Sequence, residues 1–376
     1  MNIAFVGARI HDGKTLHDDH AILVSNSVPT LIRRADIPSE CRIIPLDGGV
    51  VLPGFVDLQV NGGGGVMVDG TTSVATLRTI AKAHAGLGVA GLLPTLITDT
   101  PLATAAVIDA VAVALREEVS GILGLHLEGP HLDPRRKGAH DAALIRPMDA
   151  DDLRQLLDAN ERLPNLKVTV APEAVTCEQI TTLKDAGVLV SLGHSDCDYE
   201  TAMRSFDAGA TCATHLFNAM SPLTSRTPGM VGAILDAPVS AGVIADGIHV
   251  HPATLRTALA AKRGPGELFL VSDAMACAGT SQRSFTLGGR EIRRHEGRLN
   301  LADGTLAGAD LSLSRAVQVM ADQVGDSLET AIARATSIPA AMLRSPMGLG
   351  KWPDRLTELR YMAELGADPV GMETLL

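Results

Sequence analysis

Aromatic side chains are scarce in this sequence, with one Trp, two Tyr and six Phe among 376 residues. Its core must therefore be built from Leu, Val, Ile, Ala and Met. The five cysteines, Cys41, Cys177, Cys197, Cys212 and Cys277, are odd in number and form no CxxC pair. That disfavours a disulfide framework and fits buried thiols of a cytoplasmic protein. No run of about twenty apolar residues occurs, and the N-terminus lacks the charged and apolar regions of a secretion signal, so a soluble protein is expected. The net charge of -11 has no block of like charge behind it. A nucleic-acid or anionic-membrane partner is disfavoured, whereas an anionic small substrate is not, because one Arg in a pocket outweighs distant surface charge.

What is present is 46% hydrophobic, 20% charged and rich in glycine, the composition of a compact α/β enzyme. Residues 1–49 read as short strands and turns, a small β layer that must pack on something larger. Within it His11, His17, Asp18, Asp19 and His20 have the spacing of a solvated turn rather than of a metal site. From Gly49 onward strand, loop and helix alternate. Apolar strands are predicted over 50–59, 91–98, 121–128, 166–173, 188–194, 210–217, 239–245 and 267–272, with Ala- and Leu-rich helices between them. Eight such units predict a closed (β/α)8 TIM-like barrel over 50–283. The runner-up, an open doubly wound sheet, would normally carry a Gly-rich phosphate turn after an early strand. The run Gly62 to Gly65 lacks the Lys-Ser/Thr of a P-loop and reads as a loop at the barrel mouth. Residues 284–306 predict a hairpin inserted to join the N-terminal β layer into a small β-sandwich domain. Residues 307–345 predict the last barrel helices, and 346–376 form an atypical tail, helical and polar over 352–365.

Polar residues at strand ends favour the barrel, whose strand ends converge on one face. Gly124-Leu-His-Leu-Glu-Gly-Pro-His131 carries an apolar strand that turns polar at Glu128 and breaks at once. Two later strands end in His194 and His215. One Glu and two His from three strands, leaving a coordination position open, match a catalytic rather than a structural metal site. Asp273 ends the apolar strand 268–272 and is read as a general base, its ordinary alternative being a helix N-cap. His140, in the long loop after Glu128, is placed to polarise a carbonyl. Arg226 is an isolated cation near the mouth, suited to a phosphate or carboxylate and equally to a surface ion pair. His126, in phase with Glu128 along its strand, reads as an interior histidine.

The ordered set His126-Leu-Glu-Gly-Pro-His-Leu132, Lys137-Gly-Ala-His140, Gly193-His-Ser195, Thr214-His-Leu-Phe-Asn-Ala-Met220, Ala245-Asp-Gly-Ile-His249, Val271-Ser-Asp273 and Asp303-Gly-Thr-Leu-Ala-Gly308 resembles the N-acetylglucosamine-6-phosphate deacetylases of the amidohydrolase superfamily. The resemblance runs from about residue 50 to 345. It implies hydrolysis of the acetamide of N-acetyl-D-glucosamine 6-phosphate to glucosamine 6-phosphate and acetate, a step of amino-sugar recycling. It implies Glu128, His194 and His215 as metal ligands and Asp273 as acid/base with His140. It implies substrate contacts at Ala139, His140, Asn218, Ala219, Asp246, His249, Leu306, Ala307 and Gly308, and a homodimer in which Arg226 reaches the neighbouring site. One divalent ion per subunit is implied, zinc first, with iron or another divalent ion as the alternative.

Two features depart from common patterns. Where many amidohydrolases carry His-x-His for a second metal, this chain has Gln59-Val-Asn61, two poor zinc ligands. That favours a single metal and weakens a two-metal cyclic-amide hydrolase. The tail over 352–365 departs as well, and the β layer is expected to be incomplete. Two further readings stay open: deacetylation of another N-acetyl hexosamine phosphate, and a catalytically silent amino-sugar-phosphate binder, against which Asp273 speaks because a binder needs no base.

Overall fold

In the computed structural model, which describes residues 2–376, eight parallel strands lie side by side in the order in which they occur in the chain. They are β1 (Phe55–Val60), β2 (Val89–Ile97), β3 (Leu125–Glu128), β4 (Leu166–Val170), β5 (Leu189–Leu192), β6 (Cys212–Ala213), β7 (Ser240–Val243) and β8 (Leu268–Leu270). The last meets the first through a parallel bridge between Val60 and Ala274 and through Ser272 N–H donated to the Asp57 carboxylate at 3.3 Å. The sheet thus curls into a TIM-like barrel. Nearly every strand residue is buried, as parallel strands covered on both faces require.

Between strands run the wall helices α1 (Val74–Gly86), α2 (Pro101–Arg116), α3 (Ala150–Arg162), α4 (Cys177–Asp185), α5 (Tyr199–Asp207), α6 (Gly229–Asp236) and α7 (Pro252–Ala261). Ser73, Thr100, Asp149, Thr176 and Asp198 cap five of them by accepting a backbone N–H of the first turn, each contributing roughly 1 kcal/mol. Short helices over Leu313–Val319, Leu328–Ala333 and Ser337–Ala341 complete the wall.

The small domain is a sandwich of two sheets. One pairs Val28–Arg33, His20–Ser25, Ile3–Val6 and Arg42–Pro45; the other pairs Val370–Gly371, Leu359–Met362, Val50–Pro53, Arg9–His11 and Leu16–His17. Phe5, Ile10, Ile22, Val51, Leu359 and Met372 fill the space between them. Three expectations are corrected here. The tail is not a polar helix: Leu359–Met362 is a strand lying antiparallel to Val50–Pro53 and completes the sandwich. The segment 284–300 does not join that domain; Ser284–Leu287, Arg290–His295 and Arg298–Asn300 form a sheet of their own, extended only by a bridge from Asn300 to Leu306. The physical reason is where their apolar faces go. Phe285, Leu287, Ile292 and Leu299 pack with Met275, Cys277 and Ala307 beside the barrel mouth. Residues 50–53 likewise belong to the sandwich, and the barrel begins at Phe55.

Candidate metal-dependent active site

Glu128 is the last residue of β3 and is in phase with His126, whose ring lies inside the barrel between the hydroxyls of Thr95 and Thr169. Alternation therefore aims Glu128 inward. For three other residues alternation gives the opposite answer. On β5 the inward positions are Ser191 and Gly193, around β6 they are Cys212 and Thr214, and after β8 it is Ser272. His194, His215 and Asp273 each follow an inward residue and should point outward. Each has left-handed backbone instead, with φ of 48°, 31° and 49°, which breaks the alternation and swings the side chain over the mouth. Such a conformation costs on the order of 1–3 kcal/mol at a residue with a Cβ.

The result is a convergent cluster. His194 Nε2 is 3.2 Å and His215 Nε2 3.0 Å from Glu128 Oε1, and the two imidazole nitrogens are 3.1 Å apart. His194 Nδ1 lies 2.8 Å from the carbonyl oxygen of Arg136. A carbonyl only accepts, so Nδ1 carries the proton and Nε2 presents its lone pair to the cluster. Two imidazole nitrogens and a carboxylate oxygen at this spacing need positive charge between them. Burial would lower the His215 pKa, but the Glu128 carboxylate outweighs it and raises it. Burial would likewise raise Glu128, yet the His194 and His215 rings packed against it hold it well below the usual carboxylate range. A divalent cation serves all three donors at once, and the three ligand atoms lie within 4.8 Å of one another. The residues present fit a three-ligand site with an open position.

Around the cluster two amides clamp two carboxylates. Gln59 Nε2 lies 3.2 Å from Glu128 Oε1 and 3.2 Å from Asp273 Oδ1, and Asn61 Nδ2 donates to Asp273 Oδ1 at 2.7 Å. Burial, reinforced by the charge of Glu128, pushes the Asp273 pKa up to about 6. His140 Nδ1 accepts the backbone N–H of Thr98 at 3.3 Å and lies 2.7 Å from its hydroxyl. Neutral His140 therefore carries its proton on Nε2. Burial first, then the neighbouring His194, press its pKa down to about 3. Gly129, at φ 86°, sits so close to Thr98 that a Cβ would collide with the Thr98 hydroxyl.

These groups line a cavity of about 430 Å³, together with Ala139, Asn218, Ala219, His249, Leu306 and Gly308. Asp246 lies behind His249, its Oδ2 2.6 Å from His249 Nδ1, and Ala307 is buried beside the mouth. Arg226 is not brought to the cavity of its own chain; it sits on an exposed loop between Ser221 and Pro228. Sequence reasoning named Gln59 and Asn61 only as poor zinc ligands and missed their grip on Asp273. It also missed Thr98, the Arg136 carbonyl and the apolar wall of Ile97, Met275 and Leu287. The signal for Gln59 was there, a neutral polar residue in an otherwise largely apolar strand, in phase with Asp57. A backbone carbonyl leaves no such signal.

The family model described as the amidohydrolase family matches residues 50–348. The chain belongs to that family. This amidohydrolase is 41% identical to the N-acetylgalactosamine-6-phosphate deacetylase of Shewanella sp. (strain ANA-3), over 90% of this chain and 86% of that one. It is 34% identical to the N-acetylglucosamine-6-phosphate deacetylase of Haemophilus influenzae, over 90% and 89%. The crystal structure of N-acetylglucosamine-6-phosphate deacetylase from Pasteurella multocida superposes with a TM-score of 0.89 at 30% identity, over 99% of this chain and all of the other. Among the described residues, no helix of this amidohydrolase is long and apolar enough to cross a membrane.

Proposed function

We propose that this amidohydrolase removes the acetyl group from N-acetyl-D-glucosamine 6-phosphate, giving D-glucosamine 6-phosphate and acetate. The observation that carries the reading is the pairing, in one cavity, of a three-ligand Glu-His-His group with an aspartate whose pKa is pushed up to about 6. A binding protein needs no such base. Glu128, His194 and His215 would hold one divalent ion, zinc in the first instance and iron(II) in the second. Such an ion, when bound, supplies Lewis acidity toward the amide carbonyl and toward water.

The side chains do the rest. His140, neutral and protonated on Nε2, donates to the carbonyl oxygen as negative charge develops there. Asp273, ionised above about pH 6, takes a proton from the attacking water and delivers it to the departing amine nitrogen. Its Oδ1 is capped by Gln59 and Asn61, which leaves Oδ2 to move the proton. Ala139, Asn218, Ala219, His249 with Asp246 behind it, and Leu306 to Gly308 would contact the sugar. The active unit is a homodimer in which Arg226, exposed and absent from its own cavity, meets the phosphate in the neighbouring site. Five cysteines without disulfide partners favour the cytoplasm.

A second reading concerns the sugar. The relative at 41% identity acts on the galacto epimer, which favours N-acetylgalactosamine 6-phosphate as the competing substrate. Acetate release from both epimers and from unphosphorylated N-acetylglucosamine, with metal counted on the same sample, separates the readings. Turnover on the gluco epimer that depends on the phosphate, at about one metal per chain, supports the proposal. Faster turnover of the galacto epimer replaces the substrate, and no release from any of the three overturns the reaction.

A further inference from the structure

The left-handed backbone of His194, φ 48°, persists at a residue with a Cβ only where its surroundings fix it. One loop supplies those surroundings. The backbone N–H of Asp133 donates to the His194 carbonyl oxygen at 2.9 Å, and the Nδ1 proton of His194 is donated to the Arg136 carbonyl oxygen at 2.8 Å. His194 is thus gripped at its main chain and at its ring by two residues of the same turn. Farther along the loop a Cβ on Gly138 would touch Cε1 of His194, and the His140 ring stands edge-on to the His194 ring with centroids 4.4 Å apart.

Asp133 caps the single 3-10 turn Pro134–Arg136 and is 3% exposed. Its carboxylate accepts the Arg135 N–H at 2.9 Å, and its carbonyl accepts the Arg136 N–H at 2.9 Å. From the other side the Arg136 guanidinium donates through Nε to Asp196 Oδ1 at 2.7 Å. Asp196 stands two residues after His194 and is itself tied down, its N–H donating to the Glu173 carboxylate at 2.9 Å. The Arg136 carbonyl is therefore fixed from both directions. The side chains of Arg136 and Asp196 are 34% and 28% exposed, so solvent screens their attraction and the contact supplies geometry above all.

We infer that Asp133 and Asp196 are positioning residues for His194. They act through the Arg136 carbonyl, which holds the proton on Nδ1 and aims Nε2 at the cluster. Each position requires a hydrogen-bond acceptor rather than a negative charge. The inference rests on the reading of Glu128, His194 and His215 as metal ligands.

The test equilibrates the zinc-loaded full chain with a chelator of known zinc affinity. The zinc dissociation constant is read for the wild type and for Asp133→Ala, Asp133→Asn, Asp196→Ala and Asp196→Asn. Removing a group that orients a ligand weakens metal binding by about ten- to a hundredfold. The expected result is a weakening of about tenfold or more in Asp133→Ala and a several-fold weakening in Asp196→Ala. Both asparagine variants stay within about twofold of the wild type, because the amide oxygen still accepts and Asn caps a turn as well as Asp does. Equal weakening in the Asn and Ala variants assigns the effect to charge and overturns the proposal. Wild-type affinity in Asp196→Ala overturns it too, even if Asp133→Ala fails to fold. A wild type that takes up no zinc removes the metal site and this inference with it, whereas tight wild-type binding with unmoved variants removes the inference alone.

Discussion

Asn61 donates its side-chain amide to Asp273 Oδ1 at 2.7 Å, and this bond favours the ionised carboxylate in a place where burial and the charge of Glu128 oppose it. Replacing Asn61 with Leu removes the donor and keeps the bulk. The pKa of Asp273, about 6 in the intact chain, then rises further. The acidic limb of kcat/KM moves up by about one pH unit, while the rate on the alkaline plateau changes little. A pH–rate profile of the two proteins decides it; coincident acidic limbs would detach Asn61 from the titration.

Asp273→Asn tests the base itself. The amide keeps the shape but takes up no proton, so turnover falls about 10³-fold. Metal content stays at the wild-type level, because the three ligands are other residues. A variant that turns over nearly as fast as the wild type would remove Asp273 from the chemistry.

Thr98→Val leaves the backbone N–H on His140 Nδ1 but deletes the hydroxyl 2.7 Å away. The ring loses one of the two groups that fix its orientation, and the Nε2 proton is aimed less well at the carbonyl. A fall in kcat of about tenfold with KM nearly unchanged is expected, since the contact strengthens only as charge develops. Equal losses in binding and turnover would assign the hydroxyl to packing instead.

Below the site, burial pushes the Asp57 pKa from 3.8 up to about 7. The native state therefore holds a proton that the unfolded chain has released, and stability falls as pH rises from about 4 to about 7. Asp57→Asn abolishes this contribution. Chemical denaturation of metal-stripped protein at several pH values should show a slope in the wild type, and a shallower one in the variant with roughly 2–4 kcal/mol less lost across the window. Asp273 contributes in the same direction over a shorter range, so some slope remains.

Much of the barrel and its mouth can be read from the residues because both depend on local patterns. Eight apolar runs alternating with capped helices specify β1 to β8, and Glu128 stands in phase at the end of its run. His194, His215 and Asp273 are recognisable because a polar residue follows an apolar strand. Strict alternation alone would have turned all three away, and only the left-handed backbone brings them in. Sequence has no marker for that conformation at residues other than glycine and asparagine. The strand Leu359–Met362 escaped for another reason. Its charged neighbours read as a polar helix, and the partner that makes it a strand, Val50–Pro53, is some three hundred residues away. The eight-residue α6, buried on almost every side, shows too little periodicity to be told from a loop.

That distant pairing orders the making of the molecule. As the chain leaves the ribosome, Val50–Pro53 can find Arg9–His11 early, but its other edge stays bare until the tail has been synthesised. Only Gly54 separates this strand from β1, which carries Gln59, and Asn61 follows directly. A segment some three hundred residues downstream thus anchors the root of the strand gripping Asp273, so a nascent chain lacks this support of its barrel mouth until Leu359–Met362 has been made.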